Sequence, residues 1–383
     1  MFRQHLAASL LLVSFCFLGC SSSTPPASSS TSSSTDDTAA SDVIETSITS
    51  APGIDPAGIA TKSPEEHMEL VQDTFKKAMD DQSIEGLNES IELASTAVKE
   101  HPTNGKLLQL KALLLFQSLQ IEPDKQKATD RRLEMGEIAR SLLAMHKEDT
   151  SKLGQMPNVL LFEEAKAHLA NSETAKAWST LKQAHANGFD QPRVLYLDPA
   201  FEPLAAVAEY DTEMRGWVKD EMATVMADFQ TFPFVFSLKS LNGNEEGGEP
   251  KEVSLTDFKG KPIIVDFWGT WCPPCRAALP HLVELHEKHK GELVVLGINF
   301  ERDRAGAKNY EEAKQILDKF VEKEPLPYTC LYGQQGLTDQ VPDFSGFPTM
   351  VFVDRKGIAR LSLTGYNPAP VLEAIVDTLM AGK

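Results

Sequence analysis

The chain has 383 residues, 42% of them hydrophobic and 24% charged, and a formal net charge of −18. A chain of this length and apolar content is expected to form two or more globular domains, and its acidity argues against nucleic acid as a main partner. The five cysteines are few and scattered, which excludes a disulfide-rich scaffold.

The N-terminus has the pattern of an export signal. Arg3 and His5 precede an apolar run over residues 6–18, which is too short to span a bilayer comfortably and is typical of a secretory signal. The run ends in FLGC, which resembles the bacterial lipobox. That resemblance implies cleavage before Cys20, which would leave Cys20 lipid-modified at the new N-terminus. Because Ser21 is not an aspartate, it also implies an outer-membrane destination in a Gram-negative host. The alternative is an ordinary signal peptide cut nearby.

We assign residues 1–19 to the signal peptide and residues 20–62 to a disordered tether. The tether is rich in Ser, Thr and Ala and carries too few large apolar groups to offset the entropy of folding. A flexible chain of roughly 40 residues has a typical end-to-end distance of ~35 Å, so the tether would keep a folded domain near a membrane surface.

Residues 63–230 are predicted to form an all-α domain, because apolar residues recur there at helical spacing between breaks at Pro102, Pro123 and Gly188. The helices resemble tetratricopeptide pairs. Two of them are expected to pack through the apolar positions Leu87, Ile91, Leu93, Ala94, Ala97, Leu107, Leu108, Leu110, Leu113 and Leu114. Both a peptide-binding groove and a simple spacer fit this pattern.

Residues 233–383 alternate between short strands and helices, which predicts an α/β layered sheet. The expected order is an N-terminal hairpin of FVFSLK and EVSL, the strand PIIVDFW, a helix over residues 273–289, the strand ELVVLGINF, a helix over residues 310–321, the strands YTCLY, TMVFVD and IARLSL, and a helix over residues 368–380. The turn at residues 354–357 would join the last two strands as an antiparallel hairpin.

Two cysteines a helical turn apart, Cys272 and Cys275, follow the apolar strand in FWGTWCPPCR. With Cys272 at the helix cap and Pro273 in the first turn, the positive end of the helix dipole would stabilise a Cys272 thiolate, which should be exposed to attack a disulfide. Cys275 returns to the same face as the more buried, resolving thiol. Asp266 lies within the strand, so burial should raise its pKa and suit it to accept the proton of Cys275 through water.

The buried acid, the WCxxC at a helix start and the GFPT segment before a later strand together resemble thioredoxin. The stretches FVFSLKSLNG, VSLTDFKGKPIIVDFWGTWCPPCRAALP and GFPTMVFVDRKG are similar to the TlpA/ResA branch of thioredoxin-like proteins, which are envelope thiol–disulfide oxidoreductases. The resemblance implies that Pro348 is cis and lies against the cysteines, and that the Phe347 backbone offers strand-like hydrogen bonds to a substrate chain. We expect Trp271, Pro273 and Pro274 to contact the substrate as well.

The same resemblance implies a mostly reducing enzyme, exported and lipid-anchored on the periplasmic side of the envelope. No bound cofactor is expected, because the dithiol itself carries the two electrons. The implied partners are a membrane thiol electron donor and cysteine-containing envelope proteins, with apocytochrome haem motifs, and hence cytochrome c biogenesis, among the clients. That branch often has a glutamate where this chain has Ala278, so proton handling would depend on Asp266 and water.

Three alternatives remain. A peroxiredoxin-like peroxidase would need a proline and a threonine seven and three residues before its cysteine, and Val265 and Gly269 stand there. A binding or scaffold protein would work through the helical domain. A zinc site is not expected, because the histidines that could complete it lie on a helix with charged neighbours and should be solvated: His281, His286 and His289. Cys330 is expected to be a buried strand cysteine.

Overall fold

The computed structural model describes residues 62–242, 250–301 and 306–382. The predicted signal peptide, the predicted lipidation site Cys20 and all of the tether except Lys62 lie outside these residues. Within them, no helix is both long enough and apolar enough to cross a membrane. The chain divides into two compact units, Met1–Phe189 and Asp190–Lys383, which are described one at a time.

The described part of the first unit is helical, and each helix packs against the next one along the chain. Side-chain oxygens of Ser63, Ser83, Asn104 and Asp124 accept hydrogen bonds from backbone N–H groups and so fix where four helices begin. The helices are α1 (Pro64–Asp80), α2 (Ile84–Glu100), α3 (Gly105–Ser118), α4 (Lys125–Met145), α5 (Met156–Ala170) and α6 (Thr174–Ala186).

The predicted contact between α2 and α3 forms, with one correction. All five apolar positions assigned to α2 are buried, as are Leu107, Leu108 and Leu114 of α3. Leu110 and Leu113 are half-buried. The buried face of α3 is instead completed by Ala112 and Leu115, because α3 also contacts α1 and α4 and so buries a wider stripe, centred away from Leu113.

In this structure the chain divides after Phe189, whereas the boundary predicted from the sequence lies at residue 230. Residues 190–230 form two 3₁₀ turns, Pro192–Tyr196 and Pro199–Ala206, and helix α7 (Tyr210–Asp228), and they cluster with the C-terminal unit. Helix α7 packs against the last helix, α10 (Ala369–Ala381), and Arg215 on α7 pairs with Glu373 on α10. Helical periodicity identified α7 as a helix, but it contains no information about which distant element covers its apolar face.

The second unit contains a five-stranded sheet in the order β5-β4-β3-β6-β7. Strands β3, β4 and β5 run parallel, whereas β6 and β7 run antiparallel, with β6 beside β3. The predicted hairpin forms a separate two-stranded sheet of β1 and β2. The strands are β1 (Ser237–Lys239), β2 (Glu252–Ser254), β3 (Ile263–Trp268), β4 (Val294–Asn299), β5 (Thr329–Tyr332), β6 (Thr349–Val353) and β7 (Ala359–Thr364).

Helices α8 (Pro273–Lys288) and α9 (Tyr310–Val321) complete the predicted α/β arrangement together with α10. Every residue of β3 is buried, as expected for a central strand covered on both faces. Ile263, Val265 and Phe267 join an apolar cluster on one face. Because side chains alternate along a strand, Ile264, Asp266 and Trp268 point to the other face. The α/β layered sheet predicted from the sequence is confirmed.

Candidate active site

The two cysteines of the WCxxC segment lie where β3 ends and α8 begins, and they form a disulfide. Cys272 is the N-cap of α8, and its sulfur accepts a hydrogen bond from the Cys275 N–H at 3.3 Å. Pro273 occupies the first turn, where it has no helical hydrogen bond to lose. The helix start, the cap and the bond between the two sulfurs therefore place both cysteines at the positive end of the α8 dipole.

The sequence predicted that Cys272 is exposed, but in this oxidised state it is buried. Cys272 is 3% exposed and Cys275 is 0% exposed, so Cys275 is the more deeply buried of the two, but neither is open to solvent. The sulfur of Cys272 turns inward to cap the helix and bond Cys275, while Pro273 and Pro274 are exposed above it. A substrate chain would therefore meet the two prolines first.

A buried carboxylate holds the turn that precedes Cys272. Glu301 is fully buried, and its Oε1 accepts the Thr270 N–H at 2.6 Å and the Asn299 Nδ2 at 3.0 Å. Its Oε2 accepts the Thr270 hydroxyl at 3.0 Å. The next residue, Trp271, donates its indole N–H to the Phe300 carbonyl at 3.1 Å. The residues that follow β4 thus hold in place Thr270 and Trp271, which lead into the disulfide.

Glu301 was not predicted from the sequence. A signal was present, because an acidic residue directly follows the apolar run VVLGINF. Parallel strands place their carboxyl ends at one edge of the sheet, and ligand sites of α/β sheets collect at that edge. With β4 beside β3, an acid after β4 lies next to the cysteines that follow β3.

The Phe347–Pro348 peptide bond is cis, as the thioredoxin resemblance implies. Phe347 brings this segment to the cysteine loop, since its ring lies 5.3 Å from the Trp271 ring and 5.2 Å from the Phe300 ring. Pro348 is buried directly before β6. Among the described residues, no hydrogen bond engages the N–H or C=O of Phe347, so both can pair with another chain.

Asp266 lies in the middle of β3. It is fully buried, and burial raises its pKa to about 8. Within the described part of the chain, neither of its carboxylate oxygens has a hydrogen-bond partner. The burial and the direction of the pKa shift agree with the sequence-based expectation. A carboxyl group with this pKa is mostly protonated at neutral pH, and its ionised fraction, about a tenth at pH 7, grows as the pH rises toward 8.

Cys330 is a buried free cysteine on β5, as predicted. In the sheet register Asp266 pairs with Gly297, and Gly297 pairs with Cys330, so Cys330 is two strands away from Asp266 on the same face. Burial raises the pKa of its thiol, and the Asp266 charge adds to that effect. Cys330 is therefore held as a neutral thiol and takes no part in the disulfide.

The sequence predicted solvated histidines on α8, but all three are half-buried in the structure. His281 bonds the Tyr366 hydroxyl through Nε2 at 2.9 Å, and the His286 ring packs against Tyr328 with ring centroids 6.1 Å apart. His289 is the C-cap of α8. Within the described residues, these histidines do not converge on a common point with the cysteines or with each other. Their expected solvation is corrected for His281 and His286, because two tyrosines from later elements cover them.

The central sheet, the disulfide at the start of α8 and the cis proline before β6 define the C-terminal unit as a thioredoxin-like domain. Comparison with known families agrees, since residues 231–361 match the AhpC/TSA family. That match covers about a third of the chain and lies wholly within the second unit.

Three relatives each match about a third of the chain. The chain is 30% identical over 123 residues to the thioredoxin-like protein YneN of Bacillus subtilis, covering 32% of this chain and 64% of YneN. It is 32% identical over 121 residues to the thiol-disulfide oxidoreductase ResA of Geobacillus thermodenitrificans, covering 30% of this chain and 62% of ResA. The thiol:disulfide interchange protein DsbE of Pseudomonas aeruginosa is 33% identical over 115 residues, covering 30% of this chain and 57% of DsbE. The chain therefore spans less than two thirds of the length of each of these relatives.

Solved structures that resemble the chain include a DsbF homologue from Corynebacterium diphtheriae, with a TM-score of 0.33 and 24% identity over 39% of this chain and 88% of that one. Another is the exposed lipoprotein thioredoxin Etrx1 from Streptococcus pneumoniae, with a TM-score of 0.30 and 25% identity over 38% of this chain and 97% of that one.

Proposed function

We propose that the protein is a thiol–disulfide oxidoreductase that exchanges its Cys272–Cys275 pair with cysteine pairs of other proteins, acting as a reductant. The observation that carries this proposal is the disulfide at the N-terminus of α8, placed between exposed prolines and a segment with a cis proline. The names of the relatives favour thiol–disulfide exchange over the peroxidase alternative.

The geometry suggests a role for each group in the reducing direction. The Cys272 thiolate, stabilised by the helix N-terminus, attacks a substrate disulfide; one substrate sulfur leaves as a thiolate and a mixed disulfide forms. Cys275 then loses its proton and attacks the Cys272 sulfur, which releases the second substrate thiolate and restores the disulfide. Two electrons pass from the protein to the substrate, whose thiolates take up protons from solvent.

Asp266 is the proposed acceptor of the Cys275 proton. Its pKa of about 8 is close enough to neutral pH for the carboxyl to take up and release a proton at useful rates. Phe347 and Pro348, with Trp271, Pro273 and Pro274, are the proposed substrate surface. The unbonded Phe347 backbone would pair with an extended substrate segment, as an added strand does at a sheet edge.

The cellular setting is also part of the proposal. A signal peptide and a lipid on Cys20 would place the chain in the cell envelope, on the outer membrane of a Gram-negative host. Each turnover leaves the pair oxidised, so the proposal requires a membrane thiol donor that reduces it again. Cysteine-containing envelope proteins, including apocytochromes before haem attachment, are the proposed clients.

The first test is the reduction potential of the Cys272–Cys275 pair in the chain lacking residues 1–19, measured against dithiol buffers. A value near −270 mV would support a reductase, whereas a value near −120 mV would reverse the direction and make the protein a disulfide donor. Cys330→Ser is the matched control, because Cys330 is a buried thiol outside the pair, and it should leave the potential unchanged.

The second test traps the mixed-disulfide intermediate. Cys275→Ser should accumulate mixed disulfides between Cys272 and client proteins, and the Cys272→Ser variant should accumulate none. Clients that bind both variants equally and without a covalent bond would favour the scaffold alternative. Hydrogen peroxide consumption far above that of a simple dithiol would favour the peroxidase.

A further inference from the structure

A group of metal-binding side chains lies in the helical unit, far along the sequence from the cysteine pair. His67 is in the second turn of α1, Glu100 is the last residue of α2, and His101 is the C-cap of α2. One ligand atom from each residue falls within 4.8 Å of the others. The packing of α1 against α2 thus brings the start of one helix to the end of the next.

One edge of the group is already close to the spacing of ligands around a small cation. His67 Nε2 and Glu100 Oε2 are 3.1 Å apart, and the two imidazole rings meet edge to face with centroids 5.5 Å apart. Two ligand atoms at 2.0–2.2 Å from a tetrahedral zinc ion lie about 3.4 Å from each other. The His67–Glu100 edge therefore needs to widen by only a few tenths of an ångström. The Glu100 carboxylate can only accept a hydrogen bond, so the proton on His67 Nε2 must leave that nitrogen before it can bind a metal.

The protonation of His101 also suits a ligand. Its Nε2 lies 3.1 Å from the Lys62 carbonyl oxygen, which can only accept a hydrogen bond, so Nε2 carries a proton. In a neutral imidazole, Nδ1 then holds the free lone pair. Histidines that bind metals commonly donate the second ring N–H to a backbone carbonyl, which fixes the ring, and the Lys62 carbonyl has that position.

Burial separates this group from ordinary surface charges. His67 is 1% exposed, whereas Glu100 and His101 are half-buried. Two imidazoles and one carboxylate are a donor set that zinc accepts, with the fourth position left to water or another ligand. Calcium and magnesium prefer all-oxygen sites, so the donor set favours a transition metal over either.

We propose that His67, Glu100 and His101 form a binding site for a divalent transition-metal cation, with zinc as the best fit. A cation held there would link α1 to α2 and, through His101, fix Lys62, where the predicted tether meets the first helix. This site is independent of the proposed thiol–disulfide activity.

The test is zinc titration of the untagged, metal-free protein by calorimetry, with cobalt absorption as a second readout. The Cys272–Cys275 pair is kept oxidised so that its thiols cannot bind the metal. One zinc ion per chain is expected, and both His101→Gln and Glu100→Gln should weaken binding at least tenfold.

His146→Gln is the matched control. Like His101, His146 is a half-buried C-cap whose backbone N–H bonds the helix, but it ends α4 instead of α2. Its substitution should leave zinc affinity unchanged. Absence of stoichiometric binding, or equal affinities in the His101, Glu100 and His146 variants, would overturn the proposal and leave a His67–Glu100 hydrogen bond that only supports the fold. Circular dichroism of each variant establishes that it is folded before titration.

Discussion

Replacing Asp266 by asparagine should change how the stability of the C-terminal unit depends on pH. Asp266 has a pKa of about 8 when folded, against 3.8 for the unperturbed group. Between these two values the folded chain holds one proton that the unfolded chain has released. Stability is therefore highest at low pH and is lost as the pH rises toward the folded-state pKa, by about 1.4 kcal/mol per pH unit.

From pH 5 to pH 8 this single group should lower the free energy of unfolding by roughly 3 to 4 kcal/mol. Asp266→Asn has nearly the same shape and does not titrate, so it should lack this loss. Subtracting the free energy of unfolding of Asp266→Asn from that of wild type at each pH cancels the contributions of the ionisable groups that the substitution leaves unchanged. The oxidised protein is used so that Cys272 and Cys275 do not titrate.

The assay is urea unfolding of both proteins at several pH values, read by hydrogen exchange in a peptide that covers β3. That readout isolates the second unit from the helical one, whose unfolding need not coincide with it. Wild type and Asp266→Asn should diverge steadily below pH 8, with wild type gaining relative stability as the pH falls. Parallel curves would mean that Asp266 titrates near its ordinary pKa, and the proposed role in accepting the Cys275 proton would lose its physical basis.

Two other substitutions test contacts around the disulfide. Glu301→Ala should lower the free energy of unfolding, measured by urea titration, by roughly 1 to 3 kcal/mol, because the Thr270 N–H and the Asn299 amide lose their buried acceptor. Glu301→Gln keeps an acceptor oxygen, so in the same titration it should lose less than half as much. Equal losses of unfolding free energy in the two variants would show that an acceptor oxygen at residue 301 does not stabilise the fold. Gly297→Ala should cost about 1 to 3 kcal/mol in calorimetric unfolding, because a Cβ would lie 2.7 Å from the Trp268 indole nitrogen. An unchanged melting temperature would mean that the indole moves aside freely.

The sequence predicted the features of the active site that local pattern determines. The fully apolar surroundings of Asp266 predicted its burial, and the spacing of Cys272 and Cys275 with Pro273 between them predicted the helix cap. The hairpin of β6 and β7 followed from its turn residues. Each of these depends on neighbours within a few positions in the chain.

Features set by distant pairing were missed. Nothing near α7 indicates that it packs on α10, about 150 residues later, and Glu301 acquires its role only because β4 lies beside β3. The inward turn of Cys272 depends on the disulfide and the cap together. His67 and His101 are 34 positions apart and meet only through helix packing. For α7, Glu301 and the two histidines the missing information was a tertiary contact, which no local pattern encodes. For Cys272 it was the oxidation state of the pair, which the sequence does not specify.

The unpaired polar atoms around Asp266 give a physical reason to regard this side of β3 as functional. Within the described residues, both Asp266 oxygens, the Trp268 indole nitrogen and the Tyr328 hydroxyl are buried without hydrogen-bond partners. Gly297 lies among them, since a Cβ there would meet Trp268 and Tyr328 at 2.7 and 3.4 Å. Each such atom costs about 1–3 kcal/mol when buried unpaired. A core selected for stability alone would have apolar side chains at these positions. The proposed role of Asp266 as a proton acceptor depends on this low-polarity, incompletely bonded setting, because a set of fixed donors would stabilise the carboxylate and lower its pKa.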